Sequence, residues 1–87
     1  MKIYIFDEHC TGWTKHPELN KQFIIQQINY LQMRYHAYGY TYRNQILESF
    51  GFHWDPREEN TCWYDVDYLP IDYEWSDEHN AFIIKIG

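Results

Sequence analysis

Residues 65–79, DVDYLPIDYEWSDEH, carry six carboxylates, three aromatic rings and one histidine, with no lysine or arginine among them. Carboxylates at that density could coordinate a hard cation, act as a general acid and base, or present negative charge to something positive. Calcium needs oxygen ligands converging from one loop at fixed spacing. DVDYLPIDYEWS opens like such a loop, but Leu69 stands where a third ligand belongs, Pro70 where the glycine turn belongs and Ser76 where the closing glutamate belongs. Zinc would have to draw on Cys10, Cys62, His9 and His53, which show neither C-x-x-C nor H-x-x-x-H spacing. Glu58 beside Glu59, or Asp65 with Asp67, could form an acid–base pair, yet a substrate pocket is hard to build in 87 residues. The expectation is therefore a protein that is not an enzyme, with no metal, no cofactor and no catalytic residue.

The third use suits the charge distribution better. Net charge is −6, and residues 55–78 hold nine acids against Arg57 alone, whereas residues 1–54 hold five basic and four acidic side chains. Such a face repels phosphate and gains nothing from counterion release, so direct nucleic-acid binding is not expected. It attracts basic protein surfaces instead. The candidate partner-binding residues are Asp65, Asp67, Asp72, Glu74, Asp77 and Glu78, with Tyr68 and Trp75 supplying contact area at the edge. Two readings of this face stand side by side, a docking surface for a basic protein and ordinary solubilising charge. Trp63, Tyr64, Tyr68, Tyr73 and Trp75 are interleaved with the acids, a composition that disordered acidic tails lack, so the segment should be folded.

The elements that must hold these residues follow from periodicity. KIYIF, residues 2–6, reads as a strand. Pro17 suits a first helical turn, with Glu18 beside it, and the spacing predicts a helix over 17–37 that Gly39 ends. Ile24, Ile28, Leu31 and Tyr35 form one apolar stripe on it and Leu19, Phe23, Tyr30 and Met33 a second, which predicts a helix covered on more than one side. Thr41 is placed to cap a shorter helix, YRNQILESF, stopped by Gly51. Period-two alternation then takes over, with Asp65 and Asp67 on one face of CWYDVDY and Asp72 and Glu74 alternating in IDYEW. Pairing of 62–68 with 71–75 through Leu69-Pro70 would set those four acids on one exposed sheet face. SDEHN reads as a turn and AFIIKI as a closing strand, apolar on both faces.

The prediction is a single α+β domain over 1–87, a helical hairpin packed on a small antiparallel sheet in the order β-α-α-β-β-β. Its predicted core is Phe23, Ile28, Leu31, Ile46, Leu47, Phe50, Tyr73 and Phe82. No long apolar run suggests a membrane span or a signal peptide, so a cytoplasmic protein with two reduced cysteines, Cys10 and Cys62, is expected.

FDEHCTGWTKHPELNKQFI, then Tyr30, Leu31 and Gly39, then YRNQILESFG, resembles a family of small uncharacterised proteins encoded by phages and prophages. Asp7, Trp13, Pro17, Glu18, Asn20, Gly39, Asn44, Gly51, Trp63 and Asp72 carry the resemblance, while Cys62 replaces the glycine before the tryptophan. The resemblance implies a phage-encoded protein acting in the host cytoplasm, and with the acidic face it suggests an anti-defence inhibitor of the anti-CRISPR kind. Its partner would be a basic host protein such as a CRISPR-associated nuclease or another nucleic-acid-binding complex. The alternatives are a virion structural or accessory protein that assembles with itself, homodimers included, and a small hydrolase or metal-binding protein. Asp7, Trp13 and Asn20 are expected to fix the first loop onto the helix start.

Overall fold

AFIIKI places apolar side chains on both of its faces, which suits only a strand flanked by partners and covered by other elements. In the computed structural model, which describes all 87 residues, this strand is the centre of the sheet. β1 (Lys2–Phe6), β4 (Ile71–Ser76) and β5 (Ala81–Ile86) form a three-stranded antiparallel sheet in the order β1-β5-β4. Between them come helix α1 (Pro17–Tyr38), a two-residue strand β2 (Thr41–Tyr42), helix α2 (Arg43–Ser49), a 3-10 turn (Pro56–Glu58) and a second two-residue strand β3 (Cys62–Trp63). The fold is α+β, with two helices against antiparallel strands.

α1 begins at Pro17, whose missing N–H costs nothing in a first turn, and ends at Gly39, which takes φ 84° and donates its N–H to Tyr35 O at 2.7 Å. Its start is fixed from the side by Asn20. That side chain is fully buried and holds Thr14 through three bonds, accepting from Thr14 N (2.7 Å) and Oγ1 (2.9 Å) and donating to Thr14 O (3.0 Å). Of the three residues expected to fix the first loop onto the helix start, Asn20 does so; Trp13 packs edge-on against Phe6 of β1, and the Asp7 carboxylate accepts the His9 N–H within the loop. Ser49 Oγ donates to Gln27 Oε1 at 2.6 Å and joins the two helices.

The core runs from Phe6 through Ile24, Leu31, Tyr35, Ile46, Leu47 and Phe50 to Phe82, Ile84 and Ile86, with Leu69 closing one end. Of the predicted core residues, Leu31, Ile46, Leu47, Phe50 and Phe82 are buried, and Phe23, Ile28 and Tyr73 pack against them half-buried.

Three expectations are corrected. The second stripe of α1 is not covered: Leu19, Tyr30 and Met33 are exposed, because the sheet and α2 occupy only the side carrying Ile24, Leu31 and Tyr35. Thr41 does not cap α2, since it pairs with Trp63, and the Tyr42 N–H is taken instead by Gln45 Oε1 at 2.8 Å. The hairpin of 62–68 with 71–75 does not form. Only Cys62 and Trp63 are in a strand, paired with β2, and β4 pairs along its whole length with β5 across the Asp77–Asn80 turn. Asn80, at φ 49°, supplies the left-handed residue that this turn needs. Asp65 and Asp67 therefore do not share a sheet face with Asp72 and Glu74.

Candidate partner-binding surface

The segment between β3 and β4 owes its shape to two side chains of α1. Tyr35 Oη donates to Val66 O at 2.6 Å and accepts from Val66 N at 3.1 Å, while Gln32 Nε2 donates to Leu69 O and its Oε1 accepts from Leu69 N, both at 2.9 Å. These four bonds do for residues 66 and 69 what a neighbouring strand would have done. With its backbone pinned and only Leu69 buried, the loop turns Tyr64, Asp65, Val66, Asp67 and Tyr68 all outward. Tyr68 is 71% exposed, touched edge-on by His36. Neither Asp65 nor Asp67 has a hydrogen-bond or ion-pair partner.

The other acids sit on β4 and the turn that follows it. Asp72 and Glu74 lie opposite Lys85 and Ile83 on the sheet face away from the helices, and Glu74 Oε1 is 3.0 Å from Lys85 Nζ. Asp72 folds along its own strand to accept the Tyr73 N–H at 2.8 Å. Asp77 Oδ1 accepts from Trp75 Nε1 at 2.8 Å, which fixes an indole that also packs edge-on against Phe82. Glu78 is exposed and unpartnered. All eight candidate residues are thus exposed, in two groups: Asp65, Asp67 and Tyr68 on the pinned loop, and Asp72, Glu74, Trp75, Asp77 and Glu78 on β4 and its turn.

Two acids just upstream, Asp55 and Glu58, are matched within the chain, whereas Glu59 beside them is exposed and unpaired. Asp55 Oδ1 accepts from Arg57 N (3.0 Å) and Nε (3.1 Å), and this hydrogen bonding to Arg57 holds the carboxyl below the usual aspartate range. Glu58 binds Lys2 through Oε1, while its Oε2 accepts from Thr61 Oγ1 at 2.6 Å and stands 3.3 Å from Arg43 Nε without the angle of a hydrogen bond. Arg43 is buried under the Trp63 ring and donates Nη1 to Ile86 O at 3.3 Å. Glu58 is a structural anchor joining β1, α2 and Thr61, the residue before β3.

No three His, Cys, Asp or Glu side chains gather closely enough to hold a metal ion, and both cysteines are free. Burial pushes the Cys10 thiol up, which leaves it a poor nucleophile at neutral pH.

The sequence reading missed a set of exposed tyrosines where α1 ends. Tyr38, Tyr40, Tyr42 and Tyr64 are all solvent-facing; Tyr40 and Tyr64 adjoin the paired Thr41 and Trp63, and Tyr64 leads into the acidic loop. The run YHAYGYTY held the signal, because tyrosines on both sides of a helix-ending glycine cannot all be turned into one core. Tyrosine offers contact area with few rotors to order, so such a set favours binding by proteins. A groove of about 750 Å³ also opens between the first half of α1 and β4, lined by Pro17, Lys21, Ile25, Tyr73 and Trp75 among others. Comparison with protein-family models, curated proteins and solved structures finds no match for this chain.

Proposed function

We propose that this chain is a protein-binding module that takes a basic partner through its exposed acids, with tyrosine and tryptophan beside them. The observation that carries this reading is that Asp65, Asp67, Asp72, Asp77 and Glu78 form no ion pair with any lysine or arginine of the chain, although Asp55 and Glu58 upstream are both matched. Asp72 and Asp77 accept only neutral N–H donors and Asp65, Asp67 and Glu78 have no partner at all, so an external cation would supply the opposite charge that the chain does not. The resemblance to small phage-encoded proteins supports a finer version, in which the partner is a host nucleic-acid-binding defence complex and the acids compete with its nucleic acid in the anti-CRISPR manner.

A second reading, a virion or accessory protein that assembles with itself, is favoured by β1. This edge strand exposes Ile3 (59%) and Ile5 (40%) on the outer face of the sheet.

Affinity capture from a bacterial lysate, followed by elution with salt and with DNA or RNA, separates the two readings. A basic protein released by both eluants is the expected result. Salt-resistant self-association with no basic protein retained would favour the assembly reading instead.

A further inference from the structure

β4 is an edge strand, and its open side faces the groove beside α1. The Ile71 N–H turns to Leu69 O (2.9 Å) and the Tyr73 N–H to Asp72 Oδ1, so it is residues 71, 73 and 75 whose backbone points away from β5. No side chain or turn of the molecule bonds to the Trp75 N–H or to the Tyr73 and Trp75 carbonyls. A strand laid along this edge would find those groups waiting.

We infer that the edge of β4 takes a basic, extended polypeptide segment as a fourth strand, seated between β4 and the first half of α1. The inference rests on the reading of a basic partner and states how that partner is held. Side chains of an added strand alternate between the two faces of the sheet. Those directed to the helix side meet Tyr73 and Trp75 on the sheet and Ile25 on α1, where Lys21 stands against a further cation, and should be apolar, whereas those on the outer side come beside Asp72 and Glu74 and should be lysine or arginine. Asp72 sets the entry condition. Its carboxylate occupies the Tyr73 N–H, so an incoming carbonyl reaches that donor only once a cation on the same strand draws the carboxylate aside. A neutral strand has nothing to move it. A second copy of this chain is disfavoured as the occupant, because antiparallel pairing of two β4 edges would bring Asp72 and Glu74 against their own copies.

The test uses isotope-labelled full-length protein and a peptide long enough to cover the six residues of β4, alternating arginine with valine. Two control peptides replace arginine by serine or carry N-methyl groups at every second residue, which removes the donors on one edge. Amide shifts should concentrate at Tyr73, Trp75 and the α1 residues of the groove, and each control should bind about tenfold more weakly. The Asp72→Ala variant should bring the serine peptide to within about threefold of the arginine peptide by freeing the Tyr73 N–H. Equal binding of the N-methylated peptide overturns strand addition. Shifts confined to residues 64–68 overturn it too, while leaving the acidic surface as the docking face. Absence of binding by all three peptides, or concentration-dependent shifts at β4 without peptide, also overturns it.

Discussion

At the 3-10 turn two of the three carboxylates are matched: Asp55 closes on Arg57 and Glu58 gathers Lys2, Arg43 and Thr61 around one side chain, while Glu59 stays exposed without a partner. A few residues later Asp65, Asp67, Asp72, Asp77 and Glu78 stand in solvent without a cation, and only Glu74 has one, in Lys85. Both stretches look alike in a list of charges. The difference lies in where the basic residues come from. Arg43 and Lys2, distant in sequence, are delivered to Glu58 by α2 and β1, while nothing but β5 with Lys85 is delivered to the second group. Acids that a fold matches are structural, and acids that it leaves open are available to a partner.

Substitutions can break this contrast. As a ruler, Phe50→Ala empties a fully buried site and should cost about 3–5 kcal/mol in chemical denaturation; a loss below about 1 kcal/mol would show that the core is placed wrongly. Glu58→Ala strands the buried Arg43 guanidinium and should cost about 3 kcal/mol, with binding of a basic partner unchanged per folded molecule. A mild effect here would erase the distinction between the two acidic stretches. Tyr35→Phe leaves the Val66 N–H and C=O without their partner and should cost about 1–2 kcal/mol, with faster hydrogen exchange at Val66 and at Leu69 next to it. Unchanged exchange would mean that the loop holds its shape without α1.

The smallest effect concerns acid. Because the folded Asp55 carboxyl titrates below its ordinary range, its contribution is present above that range and is lost as pH falls through the depressed folded value. The stability gap between the wild type and Asp55→Asn should therefore be steady at neutral pH and close on acidification. A gap that widened on acidification would reverse the assignment.

Much of the fold was legible because it rests on local pattern. Pro17 and Gly39 mark both ends of α1, and AFIIKI can only be a covered central strand. What failed was CWYDVDY, whose alternation is a strand's. The competing partners of its backbone, Tyr35 and Gln32, lie some thirty residues away on a helix face, and no periodicity announces that side chains will take bonds a strand would have made. The same gap hid the candidate site. Composition showed where the acids are, but only the registers of β2–β3 and β4–β5 show that they fall into two groups, with Tyr40 and Tyr64 beside the first and the groove beside the second. The uncovered Leu19, Tyr30 and Met33 side of α1 was misread because an apolar stripe states preference, not what is there to cover it.

The most direct test of the account is a variant carrying Asp65→Asn, Asp67→Asn, Asp72→Asn and Glu74→Gln together, measured against the captured partner at low salt and at about 0.15 M ionic strength. Stability should stay within about 0.5 kcal/mol of wild type, because of the four acids only Glu74 has an ion-pair partner in the chain, and its pair with Lys85 lies on the exposed face of the sheet. Affinity should fall at least about tenfold and association should lose most of its salt dependence. Full binding by the folded variant at both ionic strengths would contradict the account and leave the open acids as solvated surface, with recognition moved to another part of the molecule such as the loop from Asp7 to Lys15.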